Sequence, residues 1–248
     1  MYAAMWLDLH VTEVDGARIV PGDGTTMERF LMTVHFLKCY PKEHESEAIF
    51  QLSDRTIRKY TWLILEKIQA LMETKIVWPE TWNAAFTVTV DGIHCRIGEP
   101  QHGQCSKNAA FYSHKFKQAG LAYEVALSIF ENKIVWINGP FAAGKNDVSI
   151  FRAGLKQKFE VGKLGVADKG HRGETKMLCL PNSHDTPEVR EFKGRALARQ
   201  ENVNSMLKNF GCLSNQFRHG IEKHQVCFQA VAVICQFQIE NGSPLLVL

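Results

Sequence analysis

The chain has no Cys-x-x-Cys pair, few prolines, no dense run of lysine and arginine, and no unbroken apolar stretch long enough to span a bilayer. Its seven cysteines (Cys39, Cys95, Cys105, Cys179, Cys212, Cys227, Cys235) are odd in number, which argues against a disulfide framework and fits a reducing compartment. With 8 prolines and 45% apolar residues, the composition excludes disordered, collagen-like and mucin-like chains and supplies enough apolar side chains for a core. Lys and Arg (29) nearly balance Asp and Glu (26), so there is no global cationic field, and nucleic-acid binding would need local clustering of bases. The opening Met1-Tyr2-Ala3-Ala4 has no basic leader, and the apolar stretch Val226 to Phe237 is broken by Gln229 and Gln236. Neither a signal peptide nor a membrane span is expected. At 248 residues the chain has room for one large domain or two small ones, and it shows no internal repeat.

What is there divides into two parts. Over the first 79 residues the periodicity is helical. Met27 to Leu37 sets Phe30, Leu31, Val34 and Leu37 at helix spacing, and Glu47 to Met72 is patterned likewise, with a break at Leu52-Ser53-Asp54. Ser53 or Asp54 can cap a second helix striped by Ile57, Tyr60, Ile64, Ile68 and Leu71. Two readings fit this short helix, turn and long helix. One is a helix-turn-helix with Arg55, Arg58 and Lys59 facing DNA; the other is a helical hairpin with a solvated basic face. Trp78-Pro79 closes the region.

From residue 80 the pattern changes. Phe86 to Asp91 alternates, Leu121 to Phe130 is a second strand, and Glu131-Asn132-Lys133 turns the chain into Ile134 to Ile137. A short helix is predicted from Asp147 to Leu155, a buried strand over Leu164 to Asp168 and a long helix from Glu188 to Phe210. Strands, a helix, another strand and later helices predict an α/β layered domain over residues 80–248. Asp91 and Asp168 are placed at strand ends, and Glu201 follows on the long helix. Three converging carboxylates repel one another unless cations bind them, and hard ions such as Mg²⁺ or Mn²⁺ favour oxygen ligands. A pair of such ions about 3.5–4 Å apart can activate water and stabilise the oxygen leaving a phosphodiester.

Several motifs in order carry a resemblance. They are Val90-Asp91-Gly92-Ile93-His94, Gly139-Pro140 followed by Gly144-Lys145-Asn146-Asp147 and Ile150-Phe151, Ala167-Asp168-Lys169-Gly170-His171, and Arg199-Gln200-Glu201 through Asn204 to Lys208, with Arg218-His219 behind. The chain resembles the Harbinger-like DDE transposases and endonucleases from Ala85 to about Glu240. The resemblance implies an RNase H-like mixed sheet flanked by helices behind the N-terminal helical region. It also implies metal-dependent cleavage of DNA, with strand transfer, by two Mg²⁺ or Mn²⁺ ions held by Asp91, Asp168 and Glu201. DNA, a homo-oligomer, a separate DNA-binding partner protein and nuclear residence are implied in the same way. His171 stands where relatives often carry an aromatic residue. A domesticated, non-catalytic DNA-binding or interaction module on the same fold is the alternative.

Other features receive plainer readings. Asp147 is expected to cap the helix that follows it rather than to bind an ion. Gly139 to Lys145 has phosphate-loop spacing, but Asn146 replaces the hydroxyl that would reach Mg²⁺. Cys212, His219, His224 and Cys227 have zinc-like spacing that a helix explains as well. Lys169, Arg172, Arg195, Arg199 and Lys208, near the last two carboxylates, are candidate DNA contacts, with Arg218 and Lys223 beyond them; the alternative is an ordinary solvated helix face.

Overall fold

The computed structural model describes residues 2–10, 12–14, 17–19, 23–99 and 108–246. Cys105 lies outside them. Helix α1 (Tyr2–His10) is followed by a two-stranded ribbon, β1 (Thr12–Val14) and β2 (Ala17–Ile19), and then by α2 (Met27–Cys39). Next come α3 (Glu43–Phe50), α4 (Asp54–Ala70) and the single turn α5 (Met72–Lys75). The break read at Leu52-Ser53-Asp54 separates α3 from α4, and Ser53 caps α4 by accepting the Thr56 N–H.

The α/β part contains β3 (Phe86–Arg96), β4 (Tyr112–Ser113), β5 (Gln118–Ser128), β6 (Ile134–Ala142), α6 (Asp147–Ala153), β7 (Leu164–Ala167) and β8 (Leu178–Cys179). It ends with α7 (Pro187–Lys208), α8 (Gly211–Ser214) and α9 (Ile221–Glu240). The sheet is mixed. β3, β5 and β6 form an antiparallel meander, and β7 and β8 then add parallel to β3, giving the order β4-β5-β3-β7-β8 with β6 also on β5. Helices flank the sheet, and the arrangement is RNase H-like. Among the described residues no helix is long and apolar enough to cross a membrane.

Strand alternation divides the core between two faces. Val88, Val90 and Ala126 pack with Phe151 of α6 on one side. Ile93, Cys95, Tyr123 and Val125 pack against α9 on the other. The stretch read as short and apolar is the middle of α9, whose side chains from Cys227 to Phe237 are all buried. Phe228 stacks flat on Tyr123 with ring centroids 3.7 Å apart, and the Tyr123 hydroxyl meets His224 Nδ1 at 2.8 Å. The helical region joins this same core: Phe30 and Leu37 of α2 and Ile64 and Ile68 of α4 belong to the cluster that includes Ile93 and Phe228.

Candidate active site

Val90 of β3 is paired with Ala167, the last residue of β7, so Asp91 and Asp168 are the residues that follow the final pair of two parallel neighbours. Asp91 is nevertheless mid-strand and not at a strand end as expected, because β3 continues to Arg96 against β5. β7 stops at Ala167 because Asp168 folds back on its own turn. Its Oδ1 accepts the Gly170 N–H at 2.8 Å and a bond from His171 Nδ1 at 3.2 Å. That bond holds the Asp168 carboxyl below the usual carboxylate range. Burial pulls the His171 imidazole down, but its bond to Asp168 and the charges of Asp147, Asp168 and Asp91 outweigh burial and raise it.

Asp91 faces α7. Its Oδ2 accepts from Asn204 Nδ2 at 2.6 Å and its Oδ1 from the Gly92 N–H at 2.7 Å. Burial, helped by the charges of Asp168 and Asp147 and opposed by those two bonds, pushes its carboxyl up to about 6. Gln200 continues the polar seam, accepting from the Thr89 hydroxyl at 2.8 Å and donating weakly to Asn204 Oδ1 at 3.3 Å. Sequence reasoning passed over this pair of amides, although their spacing of four on one helix was a signal. Glu201 is exposed and shares with Asp91, Lys115 and Asn204 the wall of a cavity of about 210 Å³.

Asp147 requires a correction. The cap of α6 is Asn146, whose side chain accepts the Ser149 N–H at 2.9 Å. Asp147 is thereby free to send its carboxylate toward the sheet, into a slot between two glycines. A Cβ at Gly92 would collide with Asp147 Oδ1, and one at Gly170 would lie 2.8 Å from Asp147 Oδ2 and 3.0 Å from Asp168 Oδ1. Glu124, paired with Gly92 across β3 and β5, lies on this same face. Its Oε2 accepts Trp136 Nε1–H at 2.9 Å, its buried Oε1 has no hydrogen-bond partner, and burial pushes its carboxyl up to about 7.

A profile of the DDE superfamily endonucleases matches residues 90–236, more than half the chain, and the match includes Asp91, Glu124, Asp147, Asp168, Glu201 and Asn204. The chain belongs to the DDE superfamily of endonucleases. Comparison with curated proteins and with solved structures gave no match. Enzymes of this superfamily use divalent metal ions, and the residues present fit such ions. Hard oxygen donors of Asp147 and Asp168 border a space that any Gly170 side chain would fill, and Asp91 is near enough for both charges to raise its carboxyl. Among the described residues no three His, Cys, Asp or Glu side chains meet at one point as they stand.

The basic residues divide. Lys169 and Arg172 are exposed beside Asp168, and Lys115 lies at the cavity wall. Arg199, expected to face DNA, is instead buried, with its guanidinium donating to the carbonyls of Ser128, Ile129 and Glu131. Lys208 is half-buried: it donates to the His94 and Leu213 carbonyls and lines the cavity with Asp91 and Glu201. Arg199 sits on the inner side of α7, where a cation is tolerated only because backbone oxygens receive it. Arg195 is exposed, 3.7 Å from Glu191. On α4, Arg55 is exposed, Lys59 lies over the Tyr60 ring, and Arg58 pairs with Glu43 at 2.9 Å and Asp54 at 3.3 Å. Arg58 thus joins α3 to α4. Arg218 also serves the fold, donating to the Tyr40 and Pro41 carbonyls. The zinc-like residues are accounted for by packing: Cys212, His224 and Cys227 are buried, and His219 sits among Phe36, Tyr40, Trp62 and Phe217.

Proposed function

We propose that this chain cleaves DNA phosphodiester bonds in a divalent-metal-dependent reaction and carries out transposase-type strand transfer. Asp91, Asp168 and Glu201 would hold two Mg²⁺ or Mn²⁺ ions. The observation that carries this reading is the pair Asp91 and Asp168, which follow the last paired residues, Val90 and Ala167, of the parallel neighbours β3 and β7, two carboxylates close enough for one to raise the other's proton affinity. A bound cation relieves that repulsion. The ions would supply activation of water or of a 3′-hydroxyl and charge stabilisation for the departing oxygen. The chain's own part is positional. Asn204 fixes the orientation of Asp91, the turn at Gly170 and His171 fixes Asp168, and Glu201 reaches the cavity from the adjacent turn of α7. Lys115, Lys169 and Arg172 would receive the phosphates of the strand, and the nucleus is the compartment where such a substrate is met.

The test is nicking of supercoiled DNA by the purified chain in Mg²⁺ or Mn²⁺, with Asp168→Asn as comparison. Cleavage by wild type and none by a variant of unchanged melting temperature is expected. Full activity in the variant would sink the assignment. Wild type that binds DNA without cutting it would instead favour the non-catalytic module.

A further inference from the structure

We infer that Asp147 is a ligand of the divalent ion, sharing it with Asp168. The inference rests on the metal-dependent reading above and changes its donor set, which the sequence motifs had assigned to Asp91, Asp168 and Glu201. Its first support is placement. Asn146 takes over the capping of α6, so the Asp147 carboxylate has no structural duty at the helix start, and among the described residues it accepts no hydrogen bond. It lies over Gly92 and Gly170, and a side chain at either position would occupy the space its oxygens need. Asp147 Oδ2 and Asp168 Oδ1 flank the same point beside Gly170, at 2.8 and 3.0 Å from where a Cβ would stand. Two anionic oxygens bordering one space, which glycine leaves open, suit a cation better than an apolar packing contact.

The second support is independent of the three aspartates. Glu124 is 2% exposed, and its Oε1 is a buried acceptor without a donor. The pairing of Glu124 with Gly92 puts it on the face of β3 that meets Asp147. An orphaned buried acceptor is costly unless something supplies a proton donor. Mg²⁺ keeps several water ligands, whose O–H groups need acceptors, and Glu124 Oε1, on the same sheet face as Asp147, is an acceptor still without a donor. Glu201, in contrast, is solvent-exposed at the wall of the cavity.

Mn²⁺ binding to the purified full chain, followed by the loss of the free-ion EPR signal and by the rise in melting temperature with ion concentration, tests this without any turnover. The variants are Asp147→Asn, Asp168→Asn and Glu201→Gln, each checked for folding by circular dichroism in ion-free buffer. Asp147→Ala serves if the asparagine variant does not fold. We expect Asp147→Asn and Asp168→Asn each to weaken Mn²⁺ binding about tenfold or more, and Glu201→Gln to weaken it less. Wild-type affinity in a folded Asp147 variant, with binding lost in Asp168→Asn, overturns the inference and leaves the metal-dependent reading standing. A wild-type chain that binds no Mn²⁺ overturns both.

Discussion

Asp91 carries its charge at a cost. Its ordinary value is 3.8, and in the folded chain it is pushed up to about 6 by burial and by Asp168 and Asp147, against the bonds from Gly92 and Asn204. Between those pH values the folded chain holds a proton that the unfolded chain has released. The Asp91 contribution therefore falls as pH rises through that window, and its full penalty is present above about pH 6. Asp91→Asn should stabilise the ion-free protein at pH 7.5, by at most about 3 kcal/mol for a shift of about two units. Urea titrations of both proteins at pH 7.5 and pH 4 check this, because the advantage should shrink toward zero at the lower pH. Saturating Mn²⁺ should reverse the order of stability at pH 7.5, since only wild type gains the ion's binding energy. The Asp91 and Asp168 positions were legible in the sequence because each follows a β-branched or small apolar run. The Asp147 carboxylate was not, because Asn146 and Asp147 are both good caps and only the backbone decides which of them closes the helix.

At the scale of elements, α7 is the member that brings one wall of the site to the sheet. It is anchored by polar groups more than by an apolar stripe: Gln200 and Asn204 meet Thr89 and Asp91, and Arg199 reaches the carbonyls at the end of β5. A buried guanidinium with three carbonyl acceptors is expensive to remove, since each acceptor is left without a donor. Arg199→Met should lower stability by about 2–4 kcal/mol, read as a reduced urea midpoint at constant slope. DNA affinity per folded molecule should not change. The location of α7 was readable from its pattern, and the structure adds a cap at its start, where the Thr186 side chain accepts the Val189 N–H. Which side of the helix faces inward was not. Arg195, Arg199 and Lys208 have the same chemistry in the sequence, and only docking on β3 and β5 separates the exposed Arg195, the buried Arg199 and the half-buried Lys208 at the cavity wall.

For the whole molecule, a net charge of +3 leaves DNA binding to a few cations at one place. If Lys169 and Arg172 meet phosphates, the double variant Lys169→Gln with Arg172→Gln should make the slope of log affinity against log salt shallower by about 2 on duplex DNA, whereas Arg199→Met should leave it unchanged. Fluorescence anisotropy between low and moderate salt reads both. The sequence alone determined the class of fold, the four longer strands, the helices that became α6 and α7, the order of the motifs and the family, because alternation, helical period and motif order are properties of the chain itself; β4, β8, α8 and the full helical run of α9 came only with the structure. Only the tertiary structure decided that β3 runs on past Asp91, that Asp147 and Glu124 stand on one face beside Asp168, and that Arg199 is internal while Lys208 lines the cavity. Those facts depend on strand register and on which helix face is covered, and both are set by contacts between residues far apart in the chain.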